Sequence, residues 1–193
     1  MAGPLFALSS GAQVLGREGF DLRRHPLSLL VLGELGWIQV GTFVLTGLGV
    51  LALAVGLRRV GIGGLGGRAM VWLIGAFGVG LAVAGVFAPD AENGFPVGAP
   101  SGSVEVMSWH GVVHATAAVV GFTALAGACV VHLVRAVRRR AFVVAGLSGI
   151  VAVVLLLPMS PEHASVQLAL TGLISFGWTT AIALSAAASG SVR

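Results

Sequence analysis

Long apolar runs separated by short polar segments dominate this chain. The clearest run, residues 107–135, begins near two histidines four residues apart and ends at a cluster of arginines. Further runs occupy residues 37–57, 69–88 and 164–187. Each provides the roughly 20 residues that a helix needs to cross the hydrocarbon core of a bilayer. The pattern therefore predicts transmembrane helices at these four places.

Three other apolar segments are shorter. Residues 141–157 form a run that Pro158 ends, and they predict a further span. Residues 3–16 predict a first span that is short or truncated, because a helix rises only about 1.5 Å per residue. Residues 27–35 lie before Gly36 and predict an interfacial or re-entrant segment. We expect an all-α, polytopic transmembrane bundle of about six spans, forming a single domain.

Composition supports this class and excludes others. Charged residues are 9% of the chain and apolar residues 56%, whereas soluble proteins carry about 25% charged residues. All basic residues are arginines in short segments beside the apolar runs, a placement that orients membrane proteins and does not indicate nucleic-acid binding. We predict a multi-pass protein of the cell membrane whose partner is the lipid bilayer.

The arginines set the predicted orientation. Arginine is enriched in the cytoplasmic loops of membrane proteins, which predicts that both termini of this chain are cytoplasmic. The acidic loops and most histidines would then lie outside, and the first outer loop is an exception because it also carries arginines. The arginines that determine the orientation lie between the second and third spans and between the fourth and fifth: Arg58, Arg59, Arg68, Arg135, Arg138, Arg139 and Arg140.

Two histidines at the outer end of the fourth span are the strongest chemical signal. His110 and His114 are four residues apart, so both imidazoles lie on one helix face within reach of one metal ion. A third ligand at the same depth could come from His163, before the sixth span, or from Asp90, after the third. Glu34 or Asp90 could then act as the general base. A divalent metal such as zinc is the cofactor that this arrangement would hold.

The same groups have a simpler interpretation, because interfacial histidines and acids can hydrogen-bond loops without binding a metal. Two histidines alone are a weak metal motif. His132 stands alone at the inner end, so a pair of haems is excluded and a single haem is disfavoured. Asp21, His25, Ser28 and Glu162 add further polar groups at the outer side.

Two polar stripes descend from the outer side. Gln39, Thr42 and Thr46 share a face of the second span, and Gln167 and Thr171 share a face of the sixth. They predict the lining of a polar pocket that opens outward and could take a lipid-like ligand. Such residues can equally form hydrogen bonds between helices.

Four segments recur in the order known from one family: GFDLRRHPLSLLVLGELGWIQ (19–39), FVLTG (43–47), GVFAPDAENGFP (85–96) and WHGVVH (109–114). With them the chain resembles the uncharacterised bacterial membrane proteins called domain of unknown function 998. The resemblance covers nearly all of the chain after Gly3, although the family usually has a fuller first helix. The resemblance implies a multi-span membrane protein. It implies no particular reaction, because the activity of the family is not established.

Two functions remain open. The first is a membrane-embedded metal-dependent hydrolase of a lipid-like substrate, in which His110, His114 and a third group such as His163 or Asp90 bind the metal. Its residue types are loosely similar to those of alkaline ceramidases, without alignable sequence. The second is a non-catalytic membrane protein whose outer polar residues stabilise its loops.

Overall fold

The computed structural model describes residues 2–190, which contain helices and no strand beyond one isolated bridge. The predicted all-α bundle is confirmed. In chain order the helices are α1 (Ala2–Gly16), a 3₁₀ helix (Leu27–Val31), α2 (Gly36–Arg59), α3 (Gly64–Val86), α4 (Trp109–Arg138), α5 (Phe142–Leu156) and α6 (Ala164–Gly190).

Four helices, α2, α3, α4 and α6, are long and apolar enough to cross a membrane by length and composition. Helix α5 is apolar but has 15 residues, and α1 also has 15. Each of these two would reach only about 22 Å. Whether α1 and α5 cross the bilayer, and which side holds the termini, stay predictions.

Helix α3 lies between α2 and α4 and packs extensively against both. Small residues allow this close approach, as is common in membrane bundles. A Cβ atom built on Gly47 of α2 would lie 2.6 Å from the carbonyl oxygen of Gly78 in α3. One built on Gly80 would lie 2.7 Å from the carbonyl oxygen of Ala117 in α4. Helix α5 packs against α4, and α6 contacts α1 and α5.

The loops at one end of the bundle form a structured loop cap, comprising residues 17–35 and 87–108. Its core contains Leu29, Leu30 and Phe95, all almost fully buried. Arg17 donates hydrogen bonds to the carbonyl oxygens of Leu30 and Leu32 and lies over the Phe95 ring. Burial lowers the pKa of Arg17, but a guanidinium stays charged at neutral pH.

This cap gives a physical reason for one exception in the arginine pattern. Arg17 joins the end of the 3₁₀ helix to residues 87–108, because it donates to Leu30 and lies over the Phe95 ring. Its positive charge is therefore held by contacts within the protein. The segment predicted as interfacial or re-entrant, residues 27–35, contains the 3₁₀ helix and belongs to this cap.

The acidic residues gather at one end of the bundle, and most of the arginines lie at the other. We call the end with the loop cap the loop end, and the end with the turns 60–63 and 139–141 the arginine end. The arginine end holds the seven arginines that set the predicted orientation. The loop end holds all seven acids of the chain: Glu18, Asp21, Glu34, Asp90, Glu92, Glu105 and Glu162.

Candidate functional site

The predicted metal ligands differ in their surroundings. His110 and His163 have exposed side chains, and the His110 ring stacks on Trp109 with 3.6 Å between ring centroids. His114 is buried. Among residues 2–190, no group of three or more His, Cys, Asp or Glu residues could hold a metal ion. The structure therefore gives the predicted metal site no support.

His114 caps the end of a neighbouring helix. Its Nδ1 lies 2.8 Å from the carbonyl oxygen of Ala84 and 3.0 Å from that of Phe87, at the end of α3. Carbonyl oxygens only accept hydrogen bonds, so Nδ1 carries the proton and donates to both. This assignment leaves Nε2 as an acceptor, and the hydrogen bonds of His114 within the described part of the chain involve Nδ1 and not Nε2.

The two predicted general bases, Asp90 and Glu34, have different surroundings. Asp90 accepts a hydrogen bond from the backbone N–H of Ser108 at 3.0 Å. The Ser108 hydroxyl oxygen in turn accepts the backbone N–H of Gly111 at 3.1 Å, which caps the start of α4. Glu34 is exposed in the loop cap. Asp90 therefore has a structural role as part of a helix cap.

The polar stripe on α2 forms hydrogen bonds between helices. Gln39 is fully buried; its Oε1 accepts from Gln13 at 2.7 Å and its Nε2 donates to Ser10 at 3.0 Å. Thr42 and Ser9 share a hydrogen bond of 2.6 Å. These contacts join α1 to α2. The stripe therefore forms hydrogen bonds between helices, the alternative to a pocket lining.

The stripe on α6 also has a local partner. Gln167 accepts the backbone N–H of Ser160 at 2.8 Å and donates to the carbonyl of Pro158 at 2.9 Å, closing the turn between α5 and α6. Thr46 and Thr171 are buried. None of the five predicted lining residues borders the cavity that lies between α4 and α6.

That cavity has a volume of about 310 Å³ and an aromatic floor. Consecutive rings of the floor have centroids between 4.5 and 5.9 Å apart, so the floor is a continuous aromatic surface. In spatial order, the rings belong to Phe43, Phe6, Phe176, Phe77 and Phe122.

The cavity opens on the outer surface of the bundle. Val119 of α4 and Leu168 of α6 both line it, and they are 66% and 37% exposed. Helices α4 and α6 are not among the pairs that pack extensively, so the gap between them stays open. Among the described residues, its only polar lining side chains are Ser28 and His114, both towards the loop end. The opening therefore leads to an apolar space with one polar end.

The sequence indicated the polar residues at one end of this cavity, but it did not indicate the apolar residues that form its walls. The sequence places Ser28 and His114 among the outer polar groups, but its polar stripes predict a pocket elsewhere. The available signal was a face of small residues on α4, where Ala115, Ala118 and Gly121 follow at intervals of three. Small residues on one face leave space beside a helix. Residues of the polar stripes instead form hydrogen bonds that hold neighbouring segments together and leave no cavity between them.

Comparison with known protein families confirms the resemblance that the four sequence segments indicate. The family described as "Protein of unknown function (DUF998)" matches residues 1–188 of the 193-residue chain. No curated protein and no solved structure matches the chain. The family match spans nearly the whole bundle, including the loop cap and the cavity. The chain therefore belongs to the DUF998 family of proteins of unknown function.

Proposed function

We propose that this protein is a non-catalytic, multi-pass protein of the cell membrane that binds one hydrocarbon chain of a lipid-like amphiphile between α4 and α6. The cavity carries this proposal, because it combines an aromatic floor with an opening between two helices that are long enough to span a bilayer. Its 310 Å³ volume lies at the lower end of the range for small-molecule sites, about 300–1,000 Å³. A hydrocarbon chain could move in from the bilayer without crossing water.

The polar end of the cavity indicates what the ligand carries next to its chain. His114 lies five residues after the first residue of α4, roughly 7.5 Å along the helix. Its Nε2 is a hydrogen-bond acceptor, and Ser28 adds a hydroxyl. An acceptor at low dielectric favours a ligand donor strongly, since leaving the acceptor unpaired is unfavourable. The amphiphile therefore carries a hydroxyl or amide donor beside its chain, as a monoacylglycerol does.

Binding fits this site better than hydrolysis does. Asp90 already caps α4, and the exposed Glu34 and His163 do not border the cavity. His114 alone of the proposed hydrolase residues lines it, and Nδ1 of that residue is held by α3. The groups at the cavity can hold a polar headgroup, but they do not form an acid–base pair.

Filling the cavity is expected to prevent binding. In Gly172→Leu the new Cβ would meet no atom within 4 Å, and Gly172 lines the cavity, so the side chain would occupy the ligand's space. Photolabelling by a diazirine-bearing monoacylglycerol in phosphatidylcholine vesicles should fall about tenfold, equivalent to about 1.4 kcal/mol of binding free energy. Labelled peptides are identified by mass spectrometry, with wild-type labels concentrated on the cavity faces of α4 and α6.

The matched control is Gly177→Leu, on the same helix, where a new Cβ also meets no atom within 4 Å but the site lies outside the cavity lining. This variant should be labelled like the wild type. Equal labelling of Gly172→Leu and wild type, or wild-type labels spread evenly over every lipid-facing surface, would contradict the proposal. Unfolding temperatures of both variants verify that each is folded.

The role of His114 in ligand binding can be tested separately from its role in holding the end of α3. In His114→Asn the side-chain amide can still donate to the carbonyls of Ala84 and Phe87, but the Nε2 acceptor is lost. We expect nearly unchanged thermal stability and roughly 2- to 10-fold weaker binding of the monoacylglycerol probe. Binding of the analogue in which both hydroxyls are methylated, which has no donor, should not change. Equal losses for the two probes would disprove a hydrogen bond from ligand to His114.

A further inference from the structure

A second cavity lies at the arginine end, far along α4 from the first. It has a volume of about 360 Å³ and lies among the 60–63 turn, the last turns of α4, and α6. Apolar side chains form part of its wall, including Met70, Val144 and Ile182. Arg135, Arg139 and His132 also line it. It therefore combines basic groups with an apolar wall.

The positive charge at this cavity has no acidic side chain beside it in the described part of the chain. Arg135 donates from Nη1 to the carbonyl oxygen of Gly63 at 2.9 Å, which holds it against the turn while it keeps its charge. Arg139 is exposed. All seven acidic side chains lie at the loop end, so no acidic side chain of residues 2–190 lines the cavity. An anion could bind here without displacing an internal ion pair.

The third group at the cavity, His132, has a fixed tautomer. Its Nδ1 lies 2.8 Å from the hydroxyl of Ser148, which donates to the carbonyl of Val144 and accepts from Trp178 at 3.1 Å. A serine hydroxyl has one hydrogen, so all three contacts are hydrogen bonds only if His132 donates from Nδ1. Nε2 is then an acceptor, and within residues 2–190 the side-chain hydrogen bond of His132 involves Nδ1 and not Nε2.

We propose that this cavity binds the headgroup of an anionic phospholipid that carries a free hydroxyl, the chemistry of phosphatidylglycerol. The phosphate pairs with Arg135 and Arg139, and the headgroup hydroxyl donates to Nε2 of His132. Basic pockets between membrane helices commonly hold such headgroups. The apolar wall favours a lipid over free phosphate, because the start of an acyl chain can cover Met70 and Ile182.

The test compares two arginines that are neighbours in the sequence. Arg138 and Arg139 are both exposed, but only Arg139 lines the cavity, so Arg139→Gln and Arg138→Gln remove the same charge at different places. The full-length protein in neutral detergent is titrated with dioctanoyl phosphatidylglycerol while its unfolding temperature is measured. We expect wild type and Arg138→Gln to be stabilised equally, and Arg139→Gln to need about tenfold more lipid.

Two further titrations identify the ligand. Dioctanoyl phosphatidylcholine should give little stabilisation, because its headgroup has no net charge and no hydroxyl. Inorganic phosphate should also give little, because it cannot cover the apolar wall. Equal effects of the two lipids, equal losses in the two variants, or full stabilisation by inorganic phosphate would each overturn the proposal.

Discussion

Replacing Gly47 by leucine is expected to abolish most of the folded protein. A Cβ at this position would lie 2.6 Å from the carbonyl oxygen of Gly78 and 3.0 Å from the backbone nitrogen of Ala82. Both atoms belong to the backbone of α3, so no side chain can rotate away, and α2 must separate from α3. We expect Gly47→Leu to lower the free energy of unfolding by about 3 kcal/mol or more.

The control is Gly41→Leu, on the same helix, where a new Cβ meets no atom within 4 Å. Folded yield after size-exclusion chromatography in detergent, and the unfolding temperature, measure both variants. Gly41→Leu should remain close to wild type in both. A Gly47→Leu protein as stable as the control would mean that α2 and α3 do not approach as closely as described.

The long helices could be predicted because the bilayer imposes a length on them. A helix crossing the membrane must be apolar for about 20 residues, whatever its packing. Helix α4 begins two residues after its predicted start and runs three residues further, to Arg138. The close contacts were harder to predict from this pattern. The chain has 30 glycines, and only the structure identifies Gly47 and Gly78 as facing each other across two helices.

The candidate site was harder to predict, because polar groups in an apolar interior bond to the nearest available partner. The spacing of His110 and His114 is correct for one helix face, yet the end of α3 provides carbonyls that hold His114. Gln39 likewise bonds to α1 and does not line the cavity between α4 and α6. Sequence spacing indicates which side chains share a face, but it does not reveal which carbonyls a neighbouring helix leaves unpaired.

Removing the side chain of His25 is expected to open the loop cap. This residue is 2% exposed and joins the two loops: Nδ1 accepts the backbone N–H of Asp21 at 2.9 Å, and Nε2 donates to the carbonyl of Asn93 at 3.0 Å. Its ring also packs against Phe20 and Phe95. We expect His25→Ala to lower the free energy of unfolding by about 3 kcal/mol, from a new cavity and two lost hydrogen bonds.

The loss should show in two measurements. The unfolding temperature should fall by roughly 6–12 °C, and trypsin should cleave faster after Arg23 and Arg24, which are exposed beside His25 in the same loop. His163→Ala is the matched control, because that histidine is exposed and its removal leaves no cavity. Similar behaviour of the two variants would show that His25 does not hold the loops together. A fall confined to His25→Ala would show that a buried histidine at this end of the bundle stabilises the loop cap.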